Sequence, residues 1–400
     1  MNSRIYFDHS ATTPLDPRVL AAMGPFLGGA FGNPSSLHHE GRVAREAVKT
    51  ARAQVAALIG AEPDEIIFTA SGTEADNLAL IGAVRASGKP GHVVTSSIEH
   101  AAVLETCRFL AESGTKIAYL PVDSDGLVGP ESLLRALQSN VTLVSIMAAN
   151  NVVGTLQPIE ELAHLTKLYG VLFHTDAVQA AGKVPLDVNR LPVDLLSLSA
   201  HKLHGPKGIG ALYVRRGVGL SPIVFGGGQE LGLRSATENV AGIVGFGAAA
   251  AVAREELADE AARLARFRQR IAAELGRTLP HSYLLGHPVH RLPGHLSFGF
   301  RGQEREVGKL LVALDATGVA VSAGSACSAH HSGEPSSVLL AMGYDDESAR
   351  GLLRLSMGRF NTQQEVDRFL VILPCAVAAL TCPAIPREQS ATDRCSAVLV

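Results

Sequence analysis

Between residues 65 and 216, seven short runs rich in β-branched and aliphatic residues recur: EIIFTA, HVVTSS, KIAYLPV, TLVSIMA, VLFHTDA, LLSLSA and ALYVRR. Ala- and Leu-rich amphipathic stretches such as TEADNLALIGAVRAS and PIEELAHLTKLYG lie between them. Alternation of this kind favours a mostly parallel sheet covered by helices, because a parallel neighbour needs a long crossover and both sheet faces must then be buried. The pattern predicts a large α/β domain over residues 15–255, built on a mostly parallel seven-stranded sheet. The stretch PIEELAHLTKLYG opens on Pro158, which suits a first helical turn.

From about Ala248 the pattern changes to one long Ala/Arg/Glu/Leu helix, followed by the strand-like segments RLPGHLSFGF, VAVSAGSAC and LLRLSMGRF. These predict a smaller α+β domain formed by residues 1–14 and 256–375, carrying a loop at 322–337. Residues 376–400 have weak periodicity and several breakers and read as a loosely held tail. A chain of 400 residues fits two such domains better than one.

The formal net charge is only −3, and no Lys/Arg block exceeds two residues, so nothing supports a nucleic-acid face or a polybasic membrane patch. The N-terminal MNSRIYFDHS lacks the pattern of a signal peptide, and no apolar run reaches the length of a membrane span. A cytoplasmic protein acting on small molecules or proteins is expected. Five cysteines without CxxC spacing argue against a disulfide framework and a preformed zinc site. The loop SAGSACSAHHSGEPSS nevertheless sets Cys327 beside His330 and His331.

The segment VDLLSLSAHKLHGPKGIG runs from a buried-looking strand straight into Ser199, His201 and Lys202, then into a Gly/Pro turn. That holds a lysine at a strand's carboxyl end, where open α/β sheets bind ligands; alone, it reads equally as a surface lysine. EIIFTASGTEADNLAL is strand, turn and helix, so the N–H groups of Gly72 and Thr73 and the Thr73 hydroxyl face an anion at the helix's positive end. The same letters also read as an N-cap with a capping-box glutamate. VLFHTDAVQ ends a strand in Asp176, with Gln179 three residues on; that acid either serves a ligand or caps the next helix. HVVTSSIEH ends near His100, which either stacks on a flat ring or is a hydrogen-bonded surface histidine. Together the segments supply an anion cradle, a carboxylate, a stacking ring and a lysine at successive strand ends, the parts a pyridoxal phosphate site needs.

The motifs YFDHSATTPLDPRV, FGNPSSLH, NNVVGTLQPI, FHTDAVQAAGKVP, LSAHKLHGPKGIGALYVR, GGGQELGLRSATENV and LRLSMGRFNT follow in unbroken order from residue 4 to 372. In these the chain resembles the cysteine desulfurases of the class V aminotransferase group, in their long-loop form. The resemblance implies the type I fold of pyridoxal-phosphate-dependent transferases, with pyridoxal 5′-phosphate as cofactor. It implies Lys202 as the covalent attachment, Asp176 on the pyridine nitrogen, Gln179 on the phenolic oxygen and His100 stacked on the ring as a catalytic neighbour. The phosphate falls among Thr73, Ser199 and His201, with Thr237 arriving from the second subunit of a homodimer. Arg354 takes the substrate carboxylate with Asn151 assisting beside the cofactor, and Arg359 is a structural ion-pair partner.

By the same resemblance, the Cys327 thiolate attacks the sulfur of L-cysteine, alanine leaves, and a persulfide passes to an iron–sulfur scaffold protein or another sulfur acceptor. No resident metal is implied, although a cluster bridged transiently through Cys327 to such a scaffold is compatible with it. The thiolate matters because an unperturbed cysteine with pKa of about 8.5 is only a few per cent ionised at neutral pH.

The chain departs from the family's commoner letters at NNVVG, RSATEN and ASGTE, and His204 stands where a tyrosine is frequent. Its cysteine loop, SACSAHHSGEPSSVL, is one residue longer than the commonest form and leans toward selenocysteine lyases, which stay an alternative, as does a true class V aminotransferase. A metal site built from Cys327, His330, His331, His38 and His39 lacks a second cysteine pair. A catalytically dead scaffold is opposed by the joint presence of Lys202, Asp176, His100, Arg354 and Cys327.

Overall fold

The computed structural model describes residues 4–89, 91–324 and 334–381. In chain order the strands are β1 (Ile5–Tyr6), β2 (Ile66–Thr69), β3 (His92–Ser96), β4 (Lys116–Leu120), β5 (Leu143–Ser145) and β6 (Leu172–Asp176). They continue with β7 (Leu195–Ser199), β8 (Gly210–Val214), β9 (Ser282–Leu284), β10 (His295–Phe300), β11 (Val319–Ala320) and β12 (Leu353–Ser356). The chain divides into a larger unit, Thr12–Asn150 with Thr155–Asp259, and a smaller one, Met1–Ala11 with Asn151–Gly154 and Glu260–Val400.

In the larger unit, the seven runs picked out in the sequence form one seven-stranded sheet in the order β2-β8-β7-β6-β5-β3-β4. β4, β3, β5, β6 and β7 pair in parallel, while β8 is antiparallel to both β7 and β2. The strands β2, β3, β5 and β7 are buried along their whole length, which continuous apolar runs permit only when both faces are covered. Edge strand β4 instead exposes Lys116 and Tyr119, and a charged side chain on an edge discourages pairing with another chain. One apolar core joins Leu78, Ala79 and Ala83 of helix Gly72–Ala86 to Val93, Leu143, Leu195 and Leu212 of the sheet.

Two helix starts differ from the sequence expectation. Pro158 precedes the helix Ile159–Leu168 as its cap, because its ψ of 62° is not helical; its carbonyl still accepts the early bond from the Leu162 N–H at 3.1 Å. The long helix begins at Val240 and runs to Thr278. Its first turns are rich in glycine, which lowers helix propensity, but the glycines serve packing. A Cβ at Gly247 would stand 2.5 Å from the Ala51 Cα, so only glycine lets helix His39–Leu58 approach this closely.

In the smaller unit, β1 pairs in parallel with β11, and β9, β10 and β12 form an antiparallel sheet in the order β12-β10-β9. Phe7, Phe298, Leu310, Leu314, Leu355, Phe369 and Leu373 make its core. The closing helix Gln363–Thr381 continues past residue 375, with Ala376 and Val377 buried in that core. No described helix is long and apolar enough to cross a membrane.

Candidate active site

β2 runs parallel to β7, since both are antiparallel to β8, so the carboxyl ends of β2, β3, β6 and β7 share one edge of the sheet. At that edge β2 leads into helix Gly72–Ala86. Ser71 caps the helix by accepting the Glu74 N–H at 3.1 Å. Glu74 accepts from the Ala70 N–H at 2.8 Å and pairs with Arg234 at 2.8 Å, so the capping box is only half formed. The Gly72 and Thr73 N–H groups precede the first intrahelical donor and face outward from the helix's positive end. A Cβ at Gly72 would meet Val178 at 2.7 Å and the Ser199 Cβ at 3.3 Å, which fixes this turn beside the end of β7.

β7 ends at buried Ser199 and passes into the tight turn Ala200–Lys202. The His201 carbonyl accepts from both the Thr13 N–H at 3.1 Å and the Thr13 hydroxyl at 2.9 Å, and His201 Nδ1 lies 3.1 Å from the Thr12 hydroxyl. Burial, aided by Lys202, Lys207 and Lys183, pushes the His201 imidazole down to about 4. A neutral ring among three lysines marks an electropositive corner suited to an anion. His204 adopts φ 63°, held by its N–H on the Thr13 hydroxyl at 2.8 Å and its ring on the Pro14 carbonyl at 2.9 Å.

β6 ends at buried Asp176, whose Oδ1 accepts the Val178 N–H at 2.9 Å, while no described residue donates to Oδ2. The residue thus makes a local turn and still offers an oxygen. Burial raises its pKa; His100, the Val178 N–H and Lys202 pull it back. His100 caps helix Ala101–Glu112, its Nδ1 accepting from the Ala102 N–H at 3.1 Å, which puts the ring proton of the neutral form on Nε2. Gln179 Oε1 accepts from Lys183 at 3.0 Å, and an amide whose oxygen is held by a cation presents its NH2 as the donor. Thr237 is exposed.

Beside His100, Glu99 is buried, accepting the Ser96 hydroxyl at 2.5 Å and the Met147 N–H at 3.0 and 3.1 Å. Burial pushes its carboxyl up from 4.5 to about 8. The folded chain therefore keeps a proton that the unfolded chain sheds, so this group's stability contribution is full at low pH and is lost as pH rises through about 8. Glu99→Gln is expected to flatten the decline of the urea midpoint between pH about 5 and about 8. Parallel curves for the two proteins would contradict the assignment.

In the smaller unit, Arg354 on β12 is 1% exposed. Its Nη2 donates to Asp8 at 2.8 Å and its Nη1 to the Asn151 carbonyl at 2.9 Å, whereas buried Nε has no partner among the described residues. A buried guanidinium N–H left without a partner beside two fixed ones is a donor that a carboxylate could satisfy. Arg359 pairs with Glu260 at 3.1 Å. Asp8, Lys183 and Glu99 escaped the sequence reading. Asp8 meets Arg354 across 346 residues, whereas Lys183 lies four residues from Gln179 and Glu99 three from Ser96, inside segments whose neighbouring residues drew the attention. Cys327, His330 and His331 lie outside the described residues.

The larger unit fits pyridoxal 5′-phosphate. It has outward N–H donors and lysines for a phosphate, a buried carboxylate with an open oxygen for a ring N–H, and an amine whose charge acts on that same carboxylate. Residues 5–369 match the model of the class-V aminotransferases, a family that depends on this cofactor. The chain is 47% identical over 374 residues to the cysteine desulfurase IscS of Dictyoglomus turgidum, covering 93% of this chain and 94% of that one. It superposes on a solved NifS-like protein with TM-score 0.87 at 39% identity, over 94% of this chain and 100% of that one. SspA in complex with cysteine matches with TM-score 0.78 at 37% identity, over 90% and 100% of the two chains. The strand-end cluster and a match along nearly the whole chain lead to one conclusion: this protein belongs to the class-V aminotransferase family and has the type I pyridoxal-phosphate fold.

Proposed function

We propose that this protein is a cysteine desulfurase that takes sulfur from L-cysteine, releases L-alanine and carries the sulfur away as a persulfide on Cys327. The observation that carries this reading is 47% identity over 93% of the chain to a protein named cysteine desulfurase, and the sequence holds the residue types that the chemistry needs. The balance closes without an external oxidant. The substrate's Cβ–Sγ bond breaks, an S–S bond forms to the Cys327 sulfur, and the electron pair stays with the carbon skeleton, which is protonated to alanine.

Lys202 would attach the cofactor covalently, and its amine is the base that takes the substrate's Cα proton. Pyridoxal 5′-phosphate, when bound, supplies an electron sink for the pair left at Cα. Asp176 would keep a proton on the ring nitrogen, the Gln179 NH2 would donate to the phenolic oxygen, and His100 would lie against the ring. Gly72, Thr73, Ser199 and His201 receive the phosphate. Arg354, oriented by Asp8 and the Asn151 carbonyl, clamps the substrate carboxylate.

Thr237 reaches the phosphate of a second copy in a homodimer. Exposed Phe225 and Leu231, on the same connection as Thr237, support a surface that another copy covers. The persulfide goes to an iron–sulfur scaffold or another sulfur acceptor.

Purified protein given L-cysteine and a thiol reductant is expected to release alanine and sulfide in equal amounts. Absence of alanine would sink the reading, and a much faster release from L-selenocysteine would reassign the substrate.

A further inference from the structure

Four polar side chains, Asp176 among them, share one face of the sheet. His174 and Asp176 alternate along β6, with Ser145 of β5 opposite His174 and Ser197 of β7 opposite Asp176. Both His174 nitrogens are engaged by hydroxyls, Nδ1 with Ser145 at 2.8 Å and Nε2 with Ser197 at 3.0 Å. Helix Gly72–Ala86 sets Asp76 over this face, with its Oδ1 buried, without a hydrogen-bond partner among the described residues, and 3.6 Å from His174 Nε2. Asp76 and His174 are 2% and 0% exposed, so whatever charge they carry is held away from water.

We propose that Asp76 and His174 hold one proton between them, resident on the Asp76 carboxyl, and that with Ser197 and Ser145 they form a positioning device that keeps Asp176 the one anion offered to the cofactor's ring nitrogen. The proposal rests on the reading of Asp176 as the cofactor's acid. A separation of 3.6 Å is too long for a charge-assisted bond, which closes to about 2.7–2.9 Å. An anionic oxygen buried without a donor is far costlier than the carbonyl oxygen of a neutral acid.

The surroundings agree. The groups facing the pair are Asp176 from β6, Glu99 from the connection after β3, and beyond them His100 and Lys202 acting on Asp176. Burial, then the nearby Asp176 charge, raises the Asp76 carboxyl, with Ser197 opposing as a hydrogen-bonding neighbour and Glu99 adding to the rise. Burial pushes His174 down to about 3. Asp176, with cationic neighbours that Asp76 lacks, is the carboxyl placed to stay ionised when the ring nitrogen carries a proton.

Full-length holoenzyme labelled with 15N-histidine tests the location of the proton. His174, identified by the signals lost in His174→Gln, is expected to show one protonated and one bare nitrogen from pH about 6 to about 9. Asp76→Asn is expected to keep that pattern, since an amide replaces a protonated carboxyl. An imidazolium at His174 that turns neutral in Asp76→Asn would overturn the proposal. Asp76→Ala is expected to release cofactor about tenfold faster, read as loss of bound absorbance after dilution, the scale on which outer partners of a site act. An unchanged release rate overturns the positioning role. Asp176→Asn separates the two claims. If it keeps wild-type cofactor absorbance and release, Asp176 is not the cofactor's acid, and the His174 pattern still decides where the proton sits.

Discussion

Lys202→Ala is expected to lower alanine release from L-cysteine by at least about a thousandfold, since positioned proton transfer alone contributes about 10²–10⁴ and the covalent link is lost with it. The turn itself should survive, because it is held by the bonds of the His201 carbonyl and of the Ala200 backbone, none of which uses the lysine side chain. Removing the ammonium raises the pKa of both Asp176 and His201, which now lose a cation that holds each of them down. Borohydride-treated wild-type protein should gain the cofactor's mass and the variant should gain none. Turnover within tenfold of wild type would remove Lys202 from the proton-transfer role.

Cys327→Ser is expected to abolish sulfur transfer while leaving the cofactor absorbance intact. A serine hydroxyl is not ionised at neutral pH and cannot replace a thiolate at sulfur, so the loss exceeds about a thousandfold. No residue of the cofactor cradle touches this position in sequence, which is why binding and chemistry should separate. The measurements are alanine release, protein-bound sulfane sulfur by cyanolysis, and the absorbance spectrum. Persistent sulfane sulfur on the serine variant would place the acceptor thiol elsewhere.

Strand existence was legible from the sequence because each run is short, β-branched and bounded by breakers, so all seven sheet strands fall where those runs lie. Helix starts were less so. Gly242, Gly245 and Gly247 conceal the beginning at Val240, since propensity penalises glycine while close packing requires it, at Gly247 against the Ala51 helix and at Gly245 against Met23 and Pro206. Lys202 and Asp176 were each ambiguous alone and gained meaning only as members of a set at strand ends. Asp8 could not be connected to Arg354, because 346 residues separate them. Asp76 left a trace that helical spacing could have caught: it lies on the stripe Gly72, Asp76, Leu80, an acidic residue among buried neighbours.

Neither unit is contiguous. The smaller one is assembled from an opening segment, four residues interposed between β5 and the helix Ile159–Leu168, and the final third of the chain. An engineer who grafts a new C-terminal segment from a relative onto this chain would leave behind Ile5 and Tyr6, which pair with β11, and Asp8 and Asn151, which hold Arg354. Transplanting the smaller unit therefore takes three pieces in one operation, and a two-piece chimera would carry an arginine whose supports belong to another protein.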